Sequence, residues 1–232
     1  MMEAFASAFG LMLAGDAELL GIVGLSLRVS LSAVFFASLL ALPVGAAVAL
    51  FRFPGRGAVV VLLNALMGLP PVVAGLIVYL LLSRVGPLGE LGLLFTPSAM
   101  VIVQSLLIFP IVAALTRQIV SDLWEEYRDQ LISLGAGRLR AIPTLLWDGR
   151  YRLITALLAG FGRAVAEVGA VLIVGGNIAG VTRVMTTAIA LETNKGNLSL
   201  ALALGTILMT LTLLVNGLAY GLGEFSRRRY GG

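Results

Sequence analysis

Long apolar runs dominate the chain, and one polar-rich stretch, Arg117 to Arg152, interrupts them. A helix needs roughly 20 apolar residues to cross a hydrocarbon core about 30 Å thick. Residues 29–51, 58–83, 98–117, 153–176 and 198–223 meet that requirement, and within them charge falls only at Arg163 and Glu167 and at the closing Arg117. The first run can be extended back to Leu19, which makes it long or bent and puts Arg28 near one interface. Pro43, Pro70, Pro71 and Pro110 fall inside runs, where neighbouring helices can satisfy the freed carbonyls and kinks result. The pattern predicts an all-α polytopic membrane protein with about five transmembrane helices. With no internal repeat, low-complexity tract or linker, residues 1–232 read as one transmembrane domain.

The basic residues set the expected orientation, because Lys and Arg are retained on the cytoplasmic side. One set of connections holds Arg52, Arg56, Arg117, Arg128, Arg138, Arg140, Arg150, Arg152, Arg227, Arg228 and Arg229, eleven in all. The opposite set holds three, Arg84, Arg183 and Lys195. The N-terminus is therefore expected outside and the C-terminus in the cytoplasm, with 118–152 as a cytoplasmic loop. The start of the chain, with Glu3, Asp16 and Glu18, lacks the basic opening and cleavage pattern of a signal peptide and is expected to be retained.

Composition narrows the class. The chain is 59% hydrophobic and 12% charged, where a soluble domain carries about 25% charged residues. It has no cysteine and no histidine, so disulfides, thiolate metal sites and the commonest general base are excluded. No Gly-x-x-x-x-Gly-Lys-Ser/Thr loop is present to hold a nucleotide. No catalytic residue, metal site or bound cofactor is expected, and the partners are the lipid bilayer and other proteins, not nucleic acid. If transport is active, its energy comes from an ion gradient or another polypeptide.

The polar stretch reads as a helix, a glycine break and a second helix. Leu123, Tyr127, Leu131 and Leu134 recur at helical spacing, and Asp122, Glu125, Glu126 and Asp129 fill much of the remainder. Gly135 and Gly137 can end the first helix. Interfacial amphipathic helices carry a Lys/Arg-rich polar face. Here four acids stand against Arg128, so an anionic leaflet would repel the helix and a groove on a soluble protein suits it better.

Asp129-Gln130-Leu131-Ile132-Ser133-Leu134-Gly135-Ala136 resembles the Glu-Ala-Ala-x-x-x-Gly signature of ABC transporter permeases. Gln130-Leu131 replace its small pair, and Trp147-Asp148 stand where that pattern ends in Leu-Pro. Phe161-Gly162-Arg163-Ala164-Val165-Ala166-Glu167-Val168-Gly169-Ala170 is similar to a membrane signature of the molybdate, sulfate and tungstate permeases, as are Gly68–Leu76 and Gly86-Pro87-Leu88-Gly89. Val174-Gly175-Gly176-Asn177-Ile178 and Thr182–Thr193 resemble the tungstate branch.

The resemblance implies an ABC importer permease of type I fold, in the cytoplasmic membrane of a prokaryote. It would work as a homodimer with an ABC ATPase that uses ATP and Mg, and with an extracytoplasmic oxyanion-binding protein. Tyr127, Asp129, Gln130, Leu131, Leu134, Gly135 and Ala136 would then form a coupling helix docked on the ATPase. Tungstate is the implied cargo, with molybdate or sulfate as the alternative. An ion-coupled secondary transporter is disfavoured, because Glu167 is the sole embedded acid and lies beside an arginine.

Arg163 and Glu167 are four apart and can pair, which keeps either from facing lipid alone. Two readings stay open: a structural ion pair, or an Arg163 that faces the pathway and weakly contacts a passing anion. Pro70 and Pro71 are a kink or part of a gate. Asn177–Asn197 reads as an outer loop, either solvated or touching a binding protein through Asn177, Thr182, Arg183, Thr186 and Thr187.

Overall fold

The apolar first run nucleates a helix where Asp16 caps it: its Oδ1 accepts from the Leu19 amide at 2.9 Å, and Glu18 sits in the first turn. This α1 (Ala17–Leu50) begins near Leu19, as the longer of the two readings had it, and runs through Pro43. Its last carbonyls are taken by Arg56, whose Nε donates to Val48 O at 2.7 Å and Nη2 to Ala49 O at 3.3 Å. In this computed structural model residues 10 and 13–230 are described, with side chains through Glu224. The chain start around Glu3 and the side chains of Arg227, Arg228 and Arg229 lie outside the described residues.

Further helices are α2 (Arg56–Met67), α3 (Pro71–Leu82), α4 (Pro97–Ser133), α5 (Arg138–Asp148), α6 (Arg150–Val165), α7 (Gly169–Gly175), α8 (Met185–Lys195) and α9 (Leu198–Tyr230), with a short 3-10 turn at Gly89–Leu91. Among the described residues, α1, α4 and α9 are each long and apolar enough to cross a membrane. The count reaches five when each bent pair, α2–α3 and α6–α7, is taken as one span.

The centre of the fold is the pairing of α1 with α4. Ala33, Ala37, Ala41 and Gly45 recur every four residues and make a narrow seam on α1, and the three alanines are at most 2% exposed. A Cβ on Gly45 would lie 2.8 Å from Thr116 Cβ and 3.1 Å from the Arg117 amide nitrogen, so only glycine lets the two backbones approach there. Ser105 Oγ ties the helices by donating to Ala33 O at 3.1 Å. On the far side of α1, Phe35, Phe36, Leu39 and Leu40 are more than half exposed, as expected of side chains whose solvent is lipid.

Two spans depart from the simple reading. Residues 58–83 form two helices meeting at 103°, and 153–176 form two meeting at 60°. In the first, Gly68 and Leu69 leave the helix and Pro70 takes an extended backbone, so Pro71 opens a new helix at N1. By contrast, α4 runs through Pro110 and carries on past the third apolar run without a break. At about 1.5 Å per residue its 37 residues measure about 55 Å, well beyond a hydrocarbon core of about 30 Å. The polar first half of 118–152 is thus the continuation of a membrane helix.

Candidate translocation path and docking surfaces

The polar extension of α4 ends at a hairpin. Gly135 has φ +74, and the Ala136 and Gly135 amides donate to Leu131 O and Ile132 O, each at 2.9 Å, closing the helix end. From Gly137 the chain turns back as α5, whose Ala141 and Leu145 bury against Leu50, Ile119, Val120 and Leu123. The residues assigned to ATPase docking divide here. Asp129, Gln130, Leu134 and Gly135 are exposed, Leu134 to 83%, whereas Tyr127 and Leu131 turn toward the hairpin's own core. Ala136 is half-buried at the turn. Tyr127, Gln130, Leu131 and Leu134 border a cleft of about 1090 Å3 together with Asp148 and Arg152. Glu126 beside the Tyr127 hydroxyl, then burial, then Asp148, hold that phenol above its usual pKa, so it stays protonated.

The second region lies where both bent spans break. Gly75 of α3 packs on α7 so closely that a Cβ would meet Ala170 Cα at 2.9 Å, and a Cβ on Gly169 would meet Val72 Cγ2 at 2.8 Å. The Pro70–Pro71 break and the break after Val165 therefore sit side by side. Arg163 Nη1 donates to Glu167 Oε2 at 2.6 Å, and Glu167 Oε1 accepts from the Ala170 amide at 3.0 Å. Glu167 lies in the break itself, past the end of α6, and not on one continuous helix face with Arg163. Its side chain is 3% exposed, that of Arg163 33%. The freed backbone groups find side chains: Gln104 Nε2 donates to Ala164 O at 3.0 Å and Thr186 Oγ1 to Glu167 O at 2.7 Å.

Thr186 thus lies inside the protein, and so do Thr182 and Thr187. Thr182 Oγ1 donates to Gly175 O at 2.6 Å, and Thr187 Oγ1 to Val184 O at 3.1 Å. Asn177, at φ +52, reaches Thr187 O at 3.4 Å. Arg183 pairs with Glu18 at 3.4 Å and is itself 13% exposed. Residues 177–197 contain α8, so this segment is a packed element whose hydroxyls serve backbone carbonyls. What faces outward is Ile178, Val181, Thr193, Asn194 and Lys195. Gln104 and Thr186 escaped the sequence reading as partners of the break. The visible signal was Gln104, the single amide within residues 98–117.

No protein-family model matches the chain. A probable anion ABC transporter permease protein of Haloferax volcanii is 42% identical over 205 residues, covering 86% of this chain and 88% of that one. The chain belongs to the ABC transporter permease family. A tungstate uptake system permease protein, TupB, of Peptoclostridium acidaminophilum is 38% identical across 96% of this permease and 97% of its own length. The sulfate transport system permease protein CysT of Salmonella typhimurium is 28% identical across 71% of the permease. The permease is accordingly a multi-pass protein of a prokaryotic cytoplasmic membrane and a non-catalytic subunit. ATP is used by a separate ATPase, and the ATPase and a binding protein are its partners.

Proposed function

We propose that this permease is the transmembrane subunit of a binding-protein-dependent importer that carries tungstate into the cytoplasm. The observation that carries the reading is the 38% identity to a tungstate uptake permease over 96% of the chain. In this reading residues 1–232 act as one domain, two copies assemble around a shared path, and the N-terminus lies outside. Mg-ATP binding closes the partner ATPases. The hairpin presenting Asp129, Leu134 and Gly135 passes that motion into α4 and α6.

Arg163 faces the path beside the two helix breaks and gives a passing dianion a brief favourable contact. Glu167 holds the guanidinium and offsets its charge, which keeps the contact weak enough for release. Pro70 and Pro71 shape the gate at the same level. A binding protein meets the outer end near residues 177–197, through the exposed edge around Ile178 and Val181 and not through the threonine side chains.

The test is uptake of labelled tungstate into proteoliposomes that hold the permease, its ATPase and its binding protein. Uptake should need ATP inside the system and be outcompeted by tungstate before molybdate or sulfate. Uptake driven by a proton or sodium gradient without ATP would sink the proposal. Preferential competition by sulfate would move the cargo to the runner-up, which the 28% identity to a sulfate permease favours.

A further inference from the structure

The cleft behind the hairpin reaches up between the membrane helices. Leu115 of the third apolar run, Thr155, Ala156 and Ala159 of α6, and Gly223 of α9 all border it. It touches the start of α6 and the far end of α9, and Leu158, Phe161 and Val165 pack in one cluster with Leu204, Leu211 and Val215, so the two helices run past each other in opposite directions. Helical register carries both walls further. Arg163 stands seven residues beyond Ala156, and Asn216 seven residues before Gly223, so each returns to the cleft side of its own helix. Seven residues rise about 10 Å, which puts Arg163 and Asn216 at one level above the cleft.

Asn216 is a polar group at membrane depth. It precedes Glu224 by eight residues, about 12 Å of helix, and its side chain is exposed. Nδ2 donates to Thr212 O at 2.9 Å within its own helix. Among the described residues that is the one hydrogen bond of its side chain, so Oδ1 and the second amide hydrogen are left over. Hydrocarbon offers them neither a donor nor an acceptor. Thr212, one turn above, is exposed beside it and donates its hydroxyl to Leu208 O at 2.8 Å.

We infer that the groove between α6 and α9 is the inward leg of the translocation path, and that Asn216 is a second contact for the transported oxyanion. The inference rests on the reading above that Arg163 faces the path. A dianion leaving the guanidinium meets the unpartnered amide N–H, which donates to an anion's oxygen without carrying charge. A neutral donor holds an anion more weakly than an arginine does, which suits a step toward release. Between the two levels α6 presents Ala156, Ala159 and Gly162, and a Cβ on Gly162 would meet nothing within 4 Å, so the groove floor stays open.

The chain has no cysteine, so Asn216→Cys supplies a single thiol. Its comparison is Leu218→Cys, at a side chain 59% exposed on another side of α9. In full-length permease reconstituted with its ATPase, an anionic thiosulfonate should modify the Asn216→Cys thiol roughly tenfold faster, since a thiol in apolar surroundings ionises less. Equal rates overturn the inference, because lipid then covers the face. Disulfide-linked dimers through Asn216→Cys in place of labelling also overturn it, because a second copy then covers the face. Uptake is the second arm. With the binding protein present, Asn216→Leu should lower the maximal rate of tungstate uptake about fivefold, the loss of one hydrogen bond, and Asn216→Gln should restore most of it. ATPase copurification equal to the parent's shows that both variants are folded. Full-rate uptake by Asn216→Leu removes the contact and overturns the inference. The labelling arm needs no cargo. A parent complex that takes up no tungstate therefore counts against the proposed function alone, and the uptake arm is then read with molybdate or sulfate.

Discussion

Arg163 and Glu167 are joined by a 2.6 Å hydrogen bond that spans the end of α6, and the same carboxylate caps the start of α7 through the Ala170 amide. One buried acid therefore holds both the arginine and the bend. Arg163→Ala would leave a carboxylate that is 3% exposed without its counter-charge, at a cost of about 3 kcal/mol. The thermal midpoint in detergent should fall, and Arg163→Ala combined with Glu167→Gln should recover part of the loss. An equal or greater loss in the double variant would show that the charge balance is not what Arg163 supplies.

Gly75 is where α3 and α7 touch. Gly75→Ala forces a methyl into the Ala170 backbone and should cost about 1–3 kcal/mol. Gly162→Ala, where a Cβ meets nothing within 4 Å, should be neutral or slightly stabilising in a helix. Thermal unfolding of the two variants side by side checks the pair. Matching midpoints would mean that the bent spans are not locked at this contact.

The hairpin turn separates backbone strain from contact. Gly135 has φ +74 but open space around its Cβ position, so Gly135→Ala should cost about 1 kcal/mol from strain alone. Gly137, at φ −67, should tolerate alanine. Circular-dichroism melts distinguish them.

Docking on the ATPase should depend on the exposed tip. Leu134→Asp removes an apolar side chain worth about 1.5–3 kcal/mol when buried in a partner. Copurification of the ATPase should therefore drop at least tenfold, the change that about 1.4 kcal/mol produces. Asp129→Lys should weaken it further at low salt than at high salt, since an exposed charge is screened. ATPase recovery unaltered by both changes would locate the docking surface elsewhere.

Glu192 makes the end of α8 sensitive to acid. Lys195 first, then Asn197, hold its pKa below the usual carboxylate range against the opposing effect of burial. Because the folded value lies below the unfolded one, the stabilisation is present above the ordinary carboxylate range. It fades as pH falls through the folded value. Acidification below about pH 4.3, the free glutamate value, should lower the melting temperature of the native protein. Glu192→Gln should lower it at neutral pH and flatten this part of the pH profile. An identical profile in the variant would remove Glu192 from the account.

Much of this permease was legible without coordinates. Apolar length fixed the membrane class, since five runs of helix-spanning length, with internal charge in one and a closing arginine in another, leave no soluble alternative. The charge pattern of residues 122–134 and the glycine at Gly135 announced a hairpin that presents an acidic face, because periodicity and left-handed backbone are local properties. What the sequence could not decide is where a run long enough to cross also bends. Pro43 and Pro110 sit in continuous helices while Pro70–Pro71 mark a sharp break. Only the tertiary neighbours determine whether freed carbonyls find partners. Thr182, Thr186 and Thr187 look like surface hydroxyls in a polar stretch, yet all three are buried: Thr186, with the sequence-distant Gln104, serves the α6–α7 break, while Thr182 and Thr187 serve the carbonyls at the end of α7 and the start of α8. Hydrophobic length is set by the bilayer and is written along the chain. The pairing of buried polar groups is set by which helices meet, and that exists only once the chain is folded.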